Sequence, residues 1–189
     1  MDTNTPFRTV NFAHPKRNIS ALGIQGGMQI ADFGSGSGAY VLAIAERLGN
    51  TGRVYAIDVQ KDLLRRTSNE AIRQGHHNVD VIWTDLEIPN ASKLANQSMD
   101  LVLISNLLFQ VPDKLPVLRE ARRIVKPGGT VAVIDWNDSY ASMGPRVEDV
   151  MKKEAAIEFA ARAALEPLRE FYAGSHHWGV IFRPTHLNV

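Results

Sequence analysis

The sequence predicts an α/β protein built on a doubly wound, mostly parallel sheet with helices on both faces and an antiparallel hairpin at its C-terminal end. Three observations predict it. Short apolar runs alternate with segments of helical spacing, the first run opens into a glycine-rich turn ahead of a helix, and the chain closes on two strand-like runs joined by five residues. With 189 residues and no repeat or low-complexity tract, one domain is expected over 1–189. Its parts are an N-terminal arm or lid over 1–22, a core over 28–135, and a C-terminal helix and hairpin over 147–183.

Met28 to Phe33 reads as a strand ending in Gly34-Ser35-Gly36-Ser37-Gly38, and Tyr40 to Leu48 has helical spacing up to the stop at Gly49-Asn50. Arg53 to Ile57 is a second strand. The helix Lys61 to Gln74 follows, with Leu63, Leu64 and Ile72 available for its buried face. Val79 to Trp83 makes a third strand. Met99 to Ile104 is almost continuously apolar, the pattern of a strand covered on both faces. Lys114 to Val125 is a helix that Pro127-Gly128-Gly129 stops before the strand Thr130 to Ile134. A last helix is predicted over Val147 to Ala164, and Leu168 to Tyr172 pairs with Trp178 to Phe182 as the closing hairpin.

Composition narrows the class of function. Lys plus Arg number 21 against 20 Asp plus Glu, so the summed field disfavours nucleic acid as a partner. The cluster Arg119, Arg122, Arg123 and Lys126 reads as a solvated helix end. The absence of cysteine excludes disulfides, thiolate metal sites and a cysteine nucleophile, and suits a reducing, cytoplasmic setting. Leu101 to Val111, the longest apolar stretch, is broken by Ser105, Asn106 and Gln110 and falls short of the ~20 residues of a membrane span. The N-terminus, with Asp2, Asn4 and Pro6, does not read as a signal peptide.

In an open α/β sheet, ligands lie beyond the carboxyl ends of the strands. Those ends carry three glycines at alternate positions, then Asp58, Asp85, Ser105-Asn106 and Asp135-Trp136-Asn137. A glycine turn before a helix lets backbone N–H groups approach a carboxylate or phosphate. Asp58 is a bidentate acceptor where a ribose diol would lie. The set reads as a site for a nucleoside-containing cofactor. Gly34 to Ala39 also satisfies the dinucleotide pattern G-x-G-x-x-G/A, with Asp58 following Gly34 by 24 residues. A nicotinamide cofactor would, however, lack a second domain to hold a hydride acceptor. Each element alone has a plainer reading: a glycine can relieve close packing, and Asp85, Asp135 or Asn137 can cap a loop.

In their order the motifs resemble those of the class I S-adenosylmethionine-dependent methyltransferases, which have a Rossmann-like fold. Ala31-Asp32-Phe33-Gly34-Ser35-Gly36-Ser37-Gly38 is similar to the family's glycine motif, Val54 to Asp58 to its second motif, and Trp83-Thr84-Asp85-Leu86 to its third. Asp100 to Asn106 resembles the fourth, and Lys126-Pro127-Gly128-Gly129 the region before strand five. Within that family the flavour is that of small quinone, sterol and metabolite methyltransferases. The resemblance implies that S-adenosylmethionine binds and leaves as S-adenosylhomocysteine. Backbone groups of the turn Gly34, Ser35, Gly36 and Gly38 would meet its methionine part, with Asp32 supporting the turn or the amino group. Asp58 would bind the ribose hydroxyls, Val59 would pack on the adenine, and Asp85 and the Leu86 N–H would read its edge. Ser105 and Asn106 would face the methionine carboxylate or the acceptor.

Methyl transfer from a sulfonium needs alignment and a dry site before it needs a base. An acidic acceptor does require one, and the candidates by position are His177, His176 and Asp135, with Asn137 beside them. A histidine pair beside a strand is also commonly structural, with alternation pointing one ring in and one out. Adjacent histidines without carboxylates do not complete a metal site, so no metal is expected. The fourth motif lacks the Asn-Pro-Pro-aromatic or Asp-Pro-Pro-aromatic sequence used on adenine or glutamine amino groups, and no cysteine is available to hold arsenite. The acceptor that the resemblance implies is a small molecule. RNA or protein methylation and a non-catalytic donor-binding partner subunit are the alternatives. Phe12 and His14 are expected to close over the donor as a lid, against a plain flexible arm.

Overall fold

The computed structural model describes residues 14–49, 51–140 and 143–185, so Phe12 lies outside it. The strands are β1 (Gln29–Phe33), β2 (Arg53–Asp58), β3 (Val79–Trp83), β4 (Met99–Ser105), β5 (Val125–Trp136), β6 (Leu165–Tyr172) and β7 (His177–Pro184). The helices are α1 (Pro15–Ala21), α2 (Ala39–Leu48), α3 (Lys61–Arg73), α4 (Lys114–Ile124) and α5 (Lys153–Arg162). The strands form one sheet in the order β3-β2-β1-β4-β5-β7-β6. β1 to β5 pair in parallel, and β7 runs antiparallel to both β5 and β6. This is the doubly wound α/β architecture with a closing antiparallel hairpin that the sequence predicts.

Alternation along each central strand sends side chains to two cores. Val102 and Ile104 of β4 face a cluster built with Val117, Leu118 and Ala121 of α4 and Ala156 and Ala160 of α5. Leu101 and Leu103 face the other, built with Ile19 of α1, Val41 and Ile44 of α2 and Leu64 of α3. The unbroken apolar run of β4 follows from this double coverage. The strand order reverses between β1 and β4, which opens a crevice at the carboxyl end of the sheet.

Several boundaries differ from expectation, each for a visible reason. α3 buries Leu64, Thr67 and Ala71, whereas Ile72 is 61% exposed. At 100° per residue, Ala71 returns to within 20° of Leu64, while Ile72 stands 80° away from it. The expected helix Val147 to Ala164 is a short 3₁₀ turn at Val147–Asp149 followed by α5. Met151 interrupts it: its side chain is buried and its carbonyl accepts from Trp178 Nε1 at 2.9 Å instead of from the next helical turn. β5 begins directly after α4, because Gly129 lies flat against β4; a Cβ there would meet the Asp100 carbonyl at 2.8 Å. α1 was not expected at all. Pro15 opens it, and Asn18 and Ile19 bury its inner side.

The basic run of α4 serves packing in part. Arg122 donates through Nε to the Ala164 carbonyl at 3.2 Å, and Arg123 pairs with the buried Glu120 at 2.7 Å. Among the described residues no helix is long and apolar enough to cross a membrane.

Candidate functional site

The turn after β1 is the floor of the crevice. The N–H groups of Gly34 and Ser35 both donate to the Ile57 carbonyl, at 2.8 and 3.0 Å, which clamps the turn to β2. Gly36 has a φ of +51°, and a Cβ on it would meet nothing nearer than the Gly34 carbonyl at 3.9 Å. Its open side is thus free for a ligand to approach the backbone. Gly38 is different. It caps α2 at φ +78°, and a Cβ there would lie 2.4 Å from Thr67 Oγ1 of α3. Gly38 lines neither half of the crevice described next and acts by letting α2 and α3 close together.

Two adjoining clefts share Gly34, Gly36 and Gln110. The first, about 480 Å³, is bounded by Asp58, Val59 and Gln60 after β2, Thr84 to Glu87 after β3, and Leu107 and Val111 after β4. Asp58 is 7% exposed; its Oδ2 accepts from the Gly36 N–H and its Oδ1 from the Gln60 N–H, both at 2.8 Å. Each oxygen keeps a second acceptor direction for a hydroxyl. Asp85 is exposed and spends Oδ1 on the Glu87 N–H at 2.9 Å. Val59 presents apolar surface at 57% exposure, and Leu86 is buried beneath.

The second cleft, about 360 Å³, is lined by Pro15, Asp32, Ser35, Ser37, Tyr40, Ser105 and Asn106. Its polar atoms are under-used: Ser35 Oγ and Asn106 Oδ1 are buried with no hydrogen-bond partner, while Ser105 Oγ faces the Tyr40 hydroxyl. Asn106 is held in a left-handed conformation at φ +53°, its N–H donating to the Ile134 carbonyl at 2.8 Å. Burial, and next the Asp58 charge, pushes the Asp32 carboxyl up to about 8. The Tyr40 hydroxyl accepts from Asn18 Nδ2 at 2.8 Å and is raised chiefly by burial.

The three candidates for proton transfer sit on the neighbouring rim and line neither cleft. Asp135 is fully buried, accepts from the N–H groups of Phe109 at 3.3 Å and Trp136 at 2.8 Å, and is pushed up to about 7 by burial. His177 is buried against Trp136, ring centroids 4.3 Å apart, with neither ring nitrogen partnered. Burial, then its neighbour His176, takes it down to about 4. His176 is half-buried, edge-on to Tyr140 at 4.2 Å, with Nδ1 2.9 Å from Ser175 Oγ. His177, the first residue of β7, points in and His176 just ahead of it lies partly out, the expected alternation. Among the described residues no three His, Asp or Glu side chains converge as a metal site.

Sequence reasoning missed Tyr40, Asn18, Gln110 and the wall Leu107 and Val111. Tyr40 carried a usable signal, an aromatic in the first turn of a helix that begins at the glycine motif. The others reach the site only through tertiary packing.

The reversed β7, the crevice at the β1/β4 switch point and the acids at the ends of β2 and β3 define a class I S-adenosylmethionine-dependent methyltransferase domain. A family described as a methyltransferase domain matches residues 24–182, and the chain belongs to it. A demethylmenaquinone methyltransferase of Bacillus velezensis is 29% identical over 120 residues, 63% of this chain and 50% of that protein. The Listeria monocytogenes protein of the same name is 31% identical over 121 residues, covering 64% and 49%. The chain spans about half the length of these curated relatives. A crystal structure of an S-adenosylmethionine-dependent methyltransferase from Aquifex aeolicus superimposes with a TM-score of 0.79 at 27% identity, covering 89% of this chain and 88% of the other.

The residues present fit the donor: an open backbone cradle at Gly36, a carboxylate with spare acceptor directions at Asp58, and orphaned polar atoms around the second cleft. Asp58→Ala is expected to weaken donor binding by about 1–3 kcal/mol, since it strands the Gly36 and Gln60 N–H groups as well as removing the acceptor. Calorimetric titration checks this, and an unchanged dissociation constant would remove Asp58 from the site.

Proposed function

We propose that the domain transfers the methyl group of S-adenosylmethionine to a small, planar acceptor that rests on the ring cluster beside the second cleft. The observation that supports this is the position of Trp136. It stands two residues beyond Ile134, the register partner of Ser105, and so on the same face of the sheet as the cleft. Tyr140 lies 6.2 Å from it between ring centroids, and His176 and His177 complete the cluster. Gly144 covers part of the Trp136 ring, and the remaining ring surface of the cluster suits a flat partner, since aromatic rings pair in offset-stacked or edge-on geometry. The names of the curated relatives point to a quinone-related acceptor, which agrees with a flat one.

When bound, the donor supplies an electrophilic sulfonium methyl open to in-line displacement. The chain's own groups then position and enclose. Asp58 would hold the ribose diol, Val59 and Leu86 would flank the base, and Asp85 would accept from its amine. Gly34 and Gly36, with Ser35, Ser105 and Asn106, would hold the methionine end, and Gly38 keeps the turn in place by packing. Alignment and water exclusion supply most of the acceleration. For an acceptor that must lose a proton, His176 is the half-exposed base of the rim; His177 supports Trp136 from below, and Asp135 anchors the loop at Phe109.

Trp136→Leu is expected to raise the acceptor KM about tenfold or more while leaving donor binding unchanged, because it removes the stacking face and not the cradle. The acceptor itself is found by incubating the chain with methyl-labelled donor and a cell extract, then locating the label by mass spectrometry. Label on a small planar metabolite is expected. Label on RNA or protein, or none, would overturn the proposal.

A further inference from the structure

Asp32 is placed unlike the other acids of the crevice. It is 2% exposed, lies within the second cleft, and no hydrogen-bond donor among the described residues offsets its charge; burial and the second carboxylate, Asp58, are what act on it. Asp58, in contrast, has two backbone N–H groups. The groups facing Asp32 are Asp58 from β2 and Tyr40 from α2. α1 contributes Pro15 and β4 contributes Ser105 and Asn106, and no lysine, arginine or histidine is among the described residues lining this cleft. An isolated carboxylate in such surroundings is unfavourable until a cation joins it.

We propose that Asp32 selects the charged donor: it holds a proton in the free protein and releases it to solvent when the cationic donor enters the cleft. This rests on the methyl-donor reading above. The step balances as one carboxylic O–H bond broken, its electron pair kept as carboxylate facing the incoming positive charge, and one proton passed to buffer. Methyl transfer turns the sulfonium into a neutral thioether, so the product offers Asp32 one positive charge fewer. Selectivity for donor over product therefore grows as pH rises, which favours exchange of spent for fresh donor. The upward shift of the Asp32 carboxyl to about 8 agrees with a proton still being present at neutral pH.

The test is calorimetric titration of the whole chain with S-adenosylmethionine in two buffers of different ionisation enthalpy, between pH 6 and 8. Close to one proton released by Asp32 per donor bound is expected at pH 6, falling to about half at pH 8, with affinity rising up to tenfold per pH unit in the lower part of that range. S-adenosylhomocysteine is expected to release fewer protons and to show a shallower slope. Any proton taken up by the donor's own amino group is shared by the product and kept in the Asp32→Asn variant, so the difference between unmodified chain and variant isolates the Asp32 proton. Asp32→Asn is expected to abolish the release, and its persistence in that variant would overturn the proposal, as would its absence in the unmodified chain. Carbon NMR titration of the Asp32 carboxyl in the free protein gives a reading that needs neither variant nor ligand. A midpoint near 8 supports the proposal, and an ordinary midpoint near 4 overturns it. Failure of the unmodified chain to bind donor at any pH would instead strike the methyl-donor reading, leaving the NMR midpoint to decide the protonation of Asp32.

Discussion

Gly38→Val is expected to cost about 2–5 kcal/mol of folding free energy, a large share of a typical domain's stability. Two effects add. A side chain at φ +78° bears about 1–2 kcal/mol of backbone strain, and a Cβ 2.4 Å from Thr67 Oγ1 and 2.5 Å from its Cγ2 forces α2 and α3 apart, a further 1–3 kcal/mol. Urea denaturation of the purified variant measures the sum. Adding Thr67→Ala should restore most of the collision part, leaving only the Thr67 Cβ at 2.9 Å, so a double variant no more stable than Gly38→Val would contradict this account. Gly36→Ala is the contrast: with open space around it, only strain is felt, and the loss should fall on donor affinity.

The free protein is expected to lose stability as pH rises from about 4 to about 8. Asp32 and Asp135 have folded-state values of about 8 and about 7, both above the ordinary carboxyl value of 3.8. Between the unfolded and folded values the folded chain binds more protons than the unfolded one. Stability from these groups is therefore fully present below about 4 and gone above about 8, with a slope of up to about 1.4 kcal/mol per pH unit for each group. Denaturation at pH 5, 6, 7 and 8 should show the decline, and Asp32→Asn should remove the part that extends to pH 8. Parallel profiles for variant and unmodified chain would mean that Asp32 is ionised when folded. Burial of these two carboxyls thus costs the folded chain stability as the pH approaches neutrality and passes it.

What was legible in the sequence was local. Strand, glycine turn and helix around Gly34 to Gly38 lie within one stretch, so spacing alone located the floor of the crevice and the acids Asp58 and Asp85 at neighbouring strand ends. What was not legible required contacts distant in sequence. Nothing near Met151 announces that its carbonyl serves Trp178, so helical spacing alone predicts too long a last helix. Ile72 looks apolar enough to be buried until its angle to Leu64 is set by the true packing face. The histidine pair was visible, but its burial depends on Trp136 folding over it from another strand. Gly38 matches a ligand motif and turns out to pack against Thr67, a residue 29 positions further along the chain.

Asn18 donates through one carboxamide nitrogen to both the Tyr40 hydroxyl, at 2.8 Å, and the Ala173 carbonyl, at 3.0 Å. A single side chain therefore fastens the first helix to Tyr40 of the second cleft at one end and to the hairpin bearing the histidines at the other. Any tilt of that helix carries the wall of the second cleft and the base of the hairpin along together, a mechanical crossbar between two distant parts of the sheet.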